Sequence, residues 1–109
     1  MEKTRQWALD LAREFQEKIA PIYGDRLKGV YLYGSYARGD ANEDSDVDVA
    51  VVLGGPVKFV REISRISEIR CDLSLRETCI VEPFFLSEDE FQTAPYPVHQ
   101  NISSEGLMI

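Results

Sequence analysis

The sequence predicts a small α/β (α+β) fold, a mixed β-sheet with flanking helices. Three observations point that way. Apolar residues recur at helical spacing near the start and in the middle of the chain. Short runs of β-branched and aromatic residues lie between and after those stretches. Glycine and proline clusters separate the two kinds of segment. The element order α-β-β-α-β-α fits in 109 residues as one domain, 1–109, with a modest core.

The first helix covers about residues 2–19. Trp7, Ala8, Leu11, Phe15 and Ile19 share one stripe, with Arg5, Arg13, Glu14, Glu17 and Lys18 largely opposite. Pro21 and Gly24 are expected to end it. Val30-Tyr31-Leu32-Tyr33 reads as a strand. The stretch from Gly34 to Ser45 is a polar connection with room for one helical turn after Ser35. Asp46 to Leu53 is the second strand, closed by Gly54-Gly55-Pro56.

From about 57 to 76, Val60, Ile63, Ile66, Ile69 or Arg70, and Leu73 recur every three or four residues, which makes a second long helix. Arg61, Arg65, Arg70 and Arg76 give it a basic stripe, read as a solvated face, with nucleotide or an acidic partner as the functional alternative. Cys79 to Leu86 is the third strand. Ser87 followed by Glu88-Asp89-Glu90 has the form of a capping box, so this acidic run is helix-start chemistry rather than a ligand set. Beyond Pro95 and Pro97 follow a short helix and an edge strand at Leu107-Met108-Ile109.

Twelve basic against 19 acidic residues leave a net charge of −7. That excludes a general nucleic-acid binder, which needs a positive surface, and suits divalent cations or a basic partner protein. Cys71 and Cys79 form no disulfide framework or metal spacing and are expected to be buried small apolar groups. The charged, amphipathic start lacks the apolar core of a signal peptide, and no apolar run approaches the roughly 18 residues of a membrane span. The expectation is a reduced, cytoplasmic protein with no membrane contact. His99 is given no catalytic role. Trp7, Phe84, Phe85, Phe91 and Tyr96 are expected mostly in the core, with some available to a partner.

Chemistry concentrates between Gly34 and Leu53. In a strand, residues two apart share a face, so Asp46 and Asp48 stand side by side while Val47, Val49 and Val51 face the core. Two such carboxylates repel, and a divalent cation relieves the conflict. Mg²⁺ is commonly held by one or two carboxylates plus substrate phosphate oxygens. Ten residues upstream, Gly34-Ser35 offers backbone N–H groups and a hydroxyl to a phosphate. Together these suit phosphoryl or nucleotidyl transfer.

Two other patterns fail. Gly34-x4-Gly39 lacks the Lys and Ser/Thr of a Walker A loop, with Asp40 and Ala41 in their places. The acidic run from Asp40 to Asp48 has Ser45 where a calcium loop needs glycine, and Val51 where it needs glutamate.

Gly34-Ser35-x-x-Arg38-Gly39 joined to Ser45-Asp46-x-Asp48 resembles the signature of the DNA polymerase β-like nucleotidyltransferase superfamily. The match is closest to its minimal nucleotidyltransferases, the antitoxins found beside HEPN ribonuclease toxins. The resemblance implies that Gly34 and Ser35 hold the triphosphate of ATP, Asp46 and Asp48 ligate Mg²⁺, and Arg38 stabilises phosphate charge or braces the loop. It implies a third carboxylate from a later strand, joining the catalytic and Mg²⁺-binding set and helping to activate the attacking hydroxyl, for which Glu82 is the candidate and Asp72 the fallback. It further implies transfer of AMP to a tyrosine hydroxyl of a HEPN toxin in a hetero-oligomer. The alternative is a non-catalytic module that neutralises its partner sterically, with nucleotide regulatory or vestigial.

Overall fold

The structure, a computed structural model, describes residues 2–109. Helix α1 (Arg5–Tyr23) starts where Thr4 Oγ1 accepts a hydrogen bond from Trp7 N at 3.1 Å. Its buried stripe is the expected one, extended by Ala12 and Tyr23. Pro21 does not end it, contrary to the sequence expectation. A proline inside a helix costs one backbone hydrogen bond and crowds the preceding turn. Here Glu17, whose carbonyl loses its partner, lies on the exposed side where water replaces the bond, while buried Tyr23 holds the last turn down. Gly24, at φ 54°, stops the helix, and a 3₁₀ turn (Gly24–Arg26) leads into the sheet.

Strand β1 (Leu27–Tyr33) is followed by a short helix α2 (Ser35–Arg38), then β2 (Val47–Leu53), α3 (Phe59–Glu77) and β3 (Val81–Ser87). Helices α4 (Glu88–Thr93) and α5 (Pro97–Glu105) precede the two-residue edge strand β4 (Leu107–Met108). The sheet order is β3-β2-β1-β4. β1 is antiparallel to β2 and β4, whereas β2 and β3 run parallel, joined by the crossover through α3. A mixed sheet with flanking helices is therefore what the element order foretold.

β2 is an interior strand and both its faces are used. Val47, Val49 and Val51 are fully buried in the larger core with Phe15, Ile19, Leu32, Ile66 and Leu73. On the other face Ala50 and Val52 pack with Leu86 and Ile102, beneath Phe91 and Val98 of the α4–α5 pair. That second cluster covers only part of its face.

Several expectations are corrected. α3 does turn inward with Ile66 and Leu73, but Val60 is 80% exposed and Glu62 is buried in its stead. The stripe through Glu62, Ile66 and Leu73 fixes the helix rotation and leaves Val60 off it. Glu62 is tolerated because Arg26 and Arg65 lie 3.9 and 3.7 Å from its oxygens. Cys71 is exposed and Cys79 half-buried, so neither is the core residue expected. β3 starts at Val81 rather than Cys79 because Thr78, in the left-handed conformation, closes α3 and the next two residues make the return. Trp7 and Phe85 are core residues, Phe84 and Phe91 are half-buried, and Tyr96 is exposed. His99 is buried against Phe84. Among the described residues no helix is long and apolar enough to cross a membrane.

The capping box is present in full. Ser87 Oγ accepts from Glu90 N at 3.1 Å, and Glu90 Oε1 accepts from Ser87 N at 3.0 Å. Ser87→Ala should lower stability by about 1 kcal/mol, read as a lower urea midpoint with unchanged slope, and Ser87→Asp should retain most of it.

Candidate active site

The end of β1 and the starts of β2 and β3 meet at one end of the sheet, because β2 runs against β1 and alongside β3. Tyr33 pairs with Asp48, and Asp48 pairs with Glu82. Directly opposed residues share a face. A row of phenol, carboxylate and carboxylate therefore crosses three strands on the face that carries α4 and α5, with Tyr33 packed against the cluster beneath them. Asp46 lies one residue before β2, and its charge acts on Asp48.

Gly34 forms the bend that closes β1. It is buried at φ 77°, and a Cβ there would overlap Asp48 Oδ2. Only glycine lets the bend lie so close to the carboxylate. Ser35 opens α2, and Gly39, at φ 88°, closes it. The guanidinium of Arg5 reaches over from α1 and donates to the carbonyls of Tyr36 and Ala37 at 3.3 and 2.9 Å. Arg38 extends from the end of α2 to Asp40 at 3.2 Å and to Glu105 at 3.1 Å. The same Glu105 oxygen accepts from Gly34 N at 3.1 Å.

The acidic connection does not form a calcium loop. Asn42 Oδ1 accepts from Asp44 N at 2.8 Å, and Asn42 N donates to Ser45 Oγ at 2.9 Å. Those side chains are spent on a turn that delivers the chain into β2.

Partial burial, then the charges of Asp46, Glu82 and Glu105, push the Asp48 carboxyl up to about 6, with Arg38 opposing. Burial and the same neighbourhood of Asp48, Glu82 and Glu105 push the Tyr33 hydroxyl upward too. This is the conflict a divalent cation resolves. Asp46 and Asp48 fit one of the oxygen-binding kind, completed by substrate phosphates. Glu82 is more exposed and lies 3.4 Å from Arg70, whose Nε donates to Val81 O at 2.7 Å. Among the described residues no three carboxylate, imidazole or thiol groups form a ready-made ion cage. Asp72 stands exposed on α3 and takes no place among the charges acting on Asp48.

Gly34, Asp46, Asp48, Glu82 and Arg38 thus converge, with Ser35 next in the chain. Sequence reasoning missed Tyr33, Arg5 and Glu105. The strand alternation that placed Asp48 offered a signal for Tyr33. Nothing local marks Glu105, which meets Gly34 from 71 residues away.

The raised Asp48 pKa has a consequence for stability in ion-free buffer. Between about pH 4 and 6 the folded chain holds this proton and the unfolded chain does not, so stability falls as pH rises through that window. Asp48→Asn should flatten that slope and stabilise the protein at pH 8 by about 1 kcal/mol, allowing for solvent screening. Urea denaturation at pH 4.5 and 8 checks it.

Residues 8–99 match the family model described as a nucleotidyltransferase domain. The chain is 31% identical over 98 residues to "Putative protein adenylyltransferase MJ0604" of Methanocaldococcus jannaschii, covering 89% of this chain and 92% of the relative. It is 37% identical over 75 residues to "Putative protein adenylyltransferase MJ0141" of the same organism, covering 69% and 75%. Among solved structures it is similar in fold to a toxin–antitoxin crystallised with AMP-PNP, with a TM-score of 0.57 and 19% identity, over 87% of this chain and 69% of that one.

Proposed function

The chain belongs to the nucleotidyltransferase domain family, and from that premise we propose that it transfers AMP from ATP to a hydroxyl of a partner protein. The observation that carries the reading is the close approach of the Gly34 bend to Asp48, which leaves no room for a Cβ between a backbone anion-binding turn and the carboxylate. Gly34 N–H, the Ser35 hydroxyl and Arg38 hold the triphosphate tail. Asp46 and Asp48 hold Mg²⁺. Bound there, Mg²⁺ supplies charge neutralisation at the α-phosphate and at the attacking oxygen. The acceptor oxygen bonds to the α-phosphorus as the bond to the departing pyrophosphate breaks. Glu82, next to Asp48 in the strand register, stands where it can take the hydroxyl proton.

A protein acceptor is supported by the names of the relatives, and a toxin partner by the fold likeness to a toxin–antitoxin. Half-exposed Asp48 beside exposed Glu82 suits an acceptor side chain presented by another molecule. We take that molecule to be a HEPN-type toxin and the acceptor to be a tyrosine, with this chain as the antitoxin in a hetero-oligomer.

The test is transfer of labelled AMP from ATP and Mg²⁺ to a co-expressed HEPN partner. Asp46→Ala and Asp48→Ala should each lower transfer by roughly 100-fold or more, and Glu82→Gln by less. Undiminished transfer in both aspartate variants refutes the assignment. If wild type transfers nothing and both variants still neutralise the partner, the chain is a steric antitoxin.

A further inference from the structure

Glu105 holds a position that the proposed reaction does not explain. Its Oε1 accepts from Gly34 N and from Arg38 Nη1, both at 3.1 Å. Those two donors are the ones assigned above to the nucleotide's phosphates. A carboxylate oxygen and a phosphate oxygen bring the same sign of charge and the same acceptor lone pairs to such donors. The two cannot hold them together, because their like charges repel at that range. Glu105 also adds to the negative field that disfavours ionised Asp48.

The backbone beneath Glu105 is fixed. Gly106 N donates to Ile102 O at 2.9 Å, and a Cβ on Gly106 would collide with that carbonyl. The next residue, Leu107, pairs with Leu32 in the sheet. The Glu105 side chain itself is 21% exposed, so rotation about its own bonds carries the carboxylate to solvent while the backbone stays put. Such a rotation would empty the turn without moving α5.

Resting on the nucleotide site proposed above, we propose that Glu105 is an internal occupant of the phosphate subsite and sets nucleotide affinity by competing for Gly34 N–H and Arg38. Apparent affinity is then the intrinsic affinity scaled by the fraction of molecules in which the carboxylate has swung away. A purely structural brace between α5 and the bend would act in the opposite sense. Removing a brace loosens the turn and weakens binding.

Isothermal titration with Mg²⁺–ATP, and separately with inorganic tripolyphosphate, separates the two. Glu105→Gln and Glu105→Ala should bind both ligands more tightly, by about 3- to 30-fold. The gain should be equal for the two ligands, since the competition concerns the phosphate tail alone. Glu105→Asp keeps the charge but lacks the reach to span both donors. It should also bind more tightly, and it gives the test a second route if a neutral variant folds poorly. Binding that is unchanged or weaker in the variants overturns this proposal and leaves the nucleotide site standing. No binding by wild type or any variant overturns both.

Discussion

The burial of Val47, Val49 and Val51 in an interior strand decides the rest of the molecule. Each is wholly removed from solvent in the core beneath α1 and α3. Slipping β2 by one residue would carry Val47 out of that core and drive the Asp48 carboxylate into it, a cost of several kcal/mol. The strand is therefore locked in register, and Asp48 has one face on which to emerge. β1 and β3 pair with β2 in that same register, so Tyr33 and Glu82 are brought to Asp48 without further instruction. The apolar packing on one side of the sheet is what places the polar chemistry on the other.

That chemistry sits in a protein with a large excess of negative charge. Like charges crowd around Asp48, and the nearest opposing cation, Arg38, is shared between Asp40 and Glu105. The arrangement stores electrostatic conflict that the fold alone does not relieve. A cation, a protonation or the withdrawal of one acid each relieves it. Arg70 performs a smaller service at the sheet edge. By donating to Val81 O and lying 3.4 Å from Glu82, it satisfies a carbonyl of the edge strand β3 and sets a positive charge beside the carboxylate.

What could be read from the residues beforehand was whatever depends on local periodicity. The stripe of α1, the alternation of β2, the Gly34-Ser35 bend and the Ser87 capping box each repeat over a few residues and carry their own geometry. The failures have a common cause. Pro21 and Val60 were judged by local rules that tertiary packing overrode, through buried Tyr23 in one case and the Glu62 stripe in the other. Residue type alone places Cys71 in the interior, yet α3 presents it outward. Glu105 and Arg5 join the site from 71 and 31 residues away, and no spacing announces a contact formed only when helices dock. Of the predicted site, the glycine bend and the face taken by Asp48 follow from backbone sterics and strand alternation, whereas Asp46 lies just outside the strand that was to align it. The surroundings that tune the charge of these acids follow from neither sterics nor alternation.

The grip of Arg5 on the carbonyls of Tyr36 and Ala37 joins two parts of the molecule that otherwise have different duties. One is the long amphipathic helix that seals the underside of the sheet. The other is a single helical turn too short to persist unaided. A lone guanidinium thus works as a strut: the stiffness of the interior is lent to a bend at the surface.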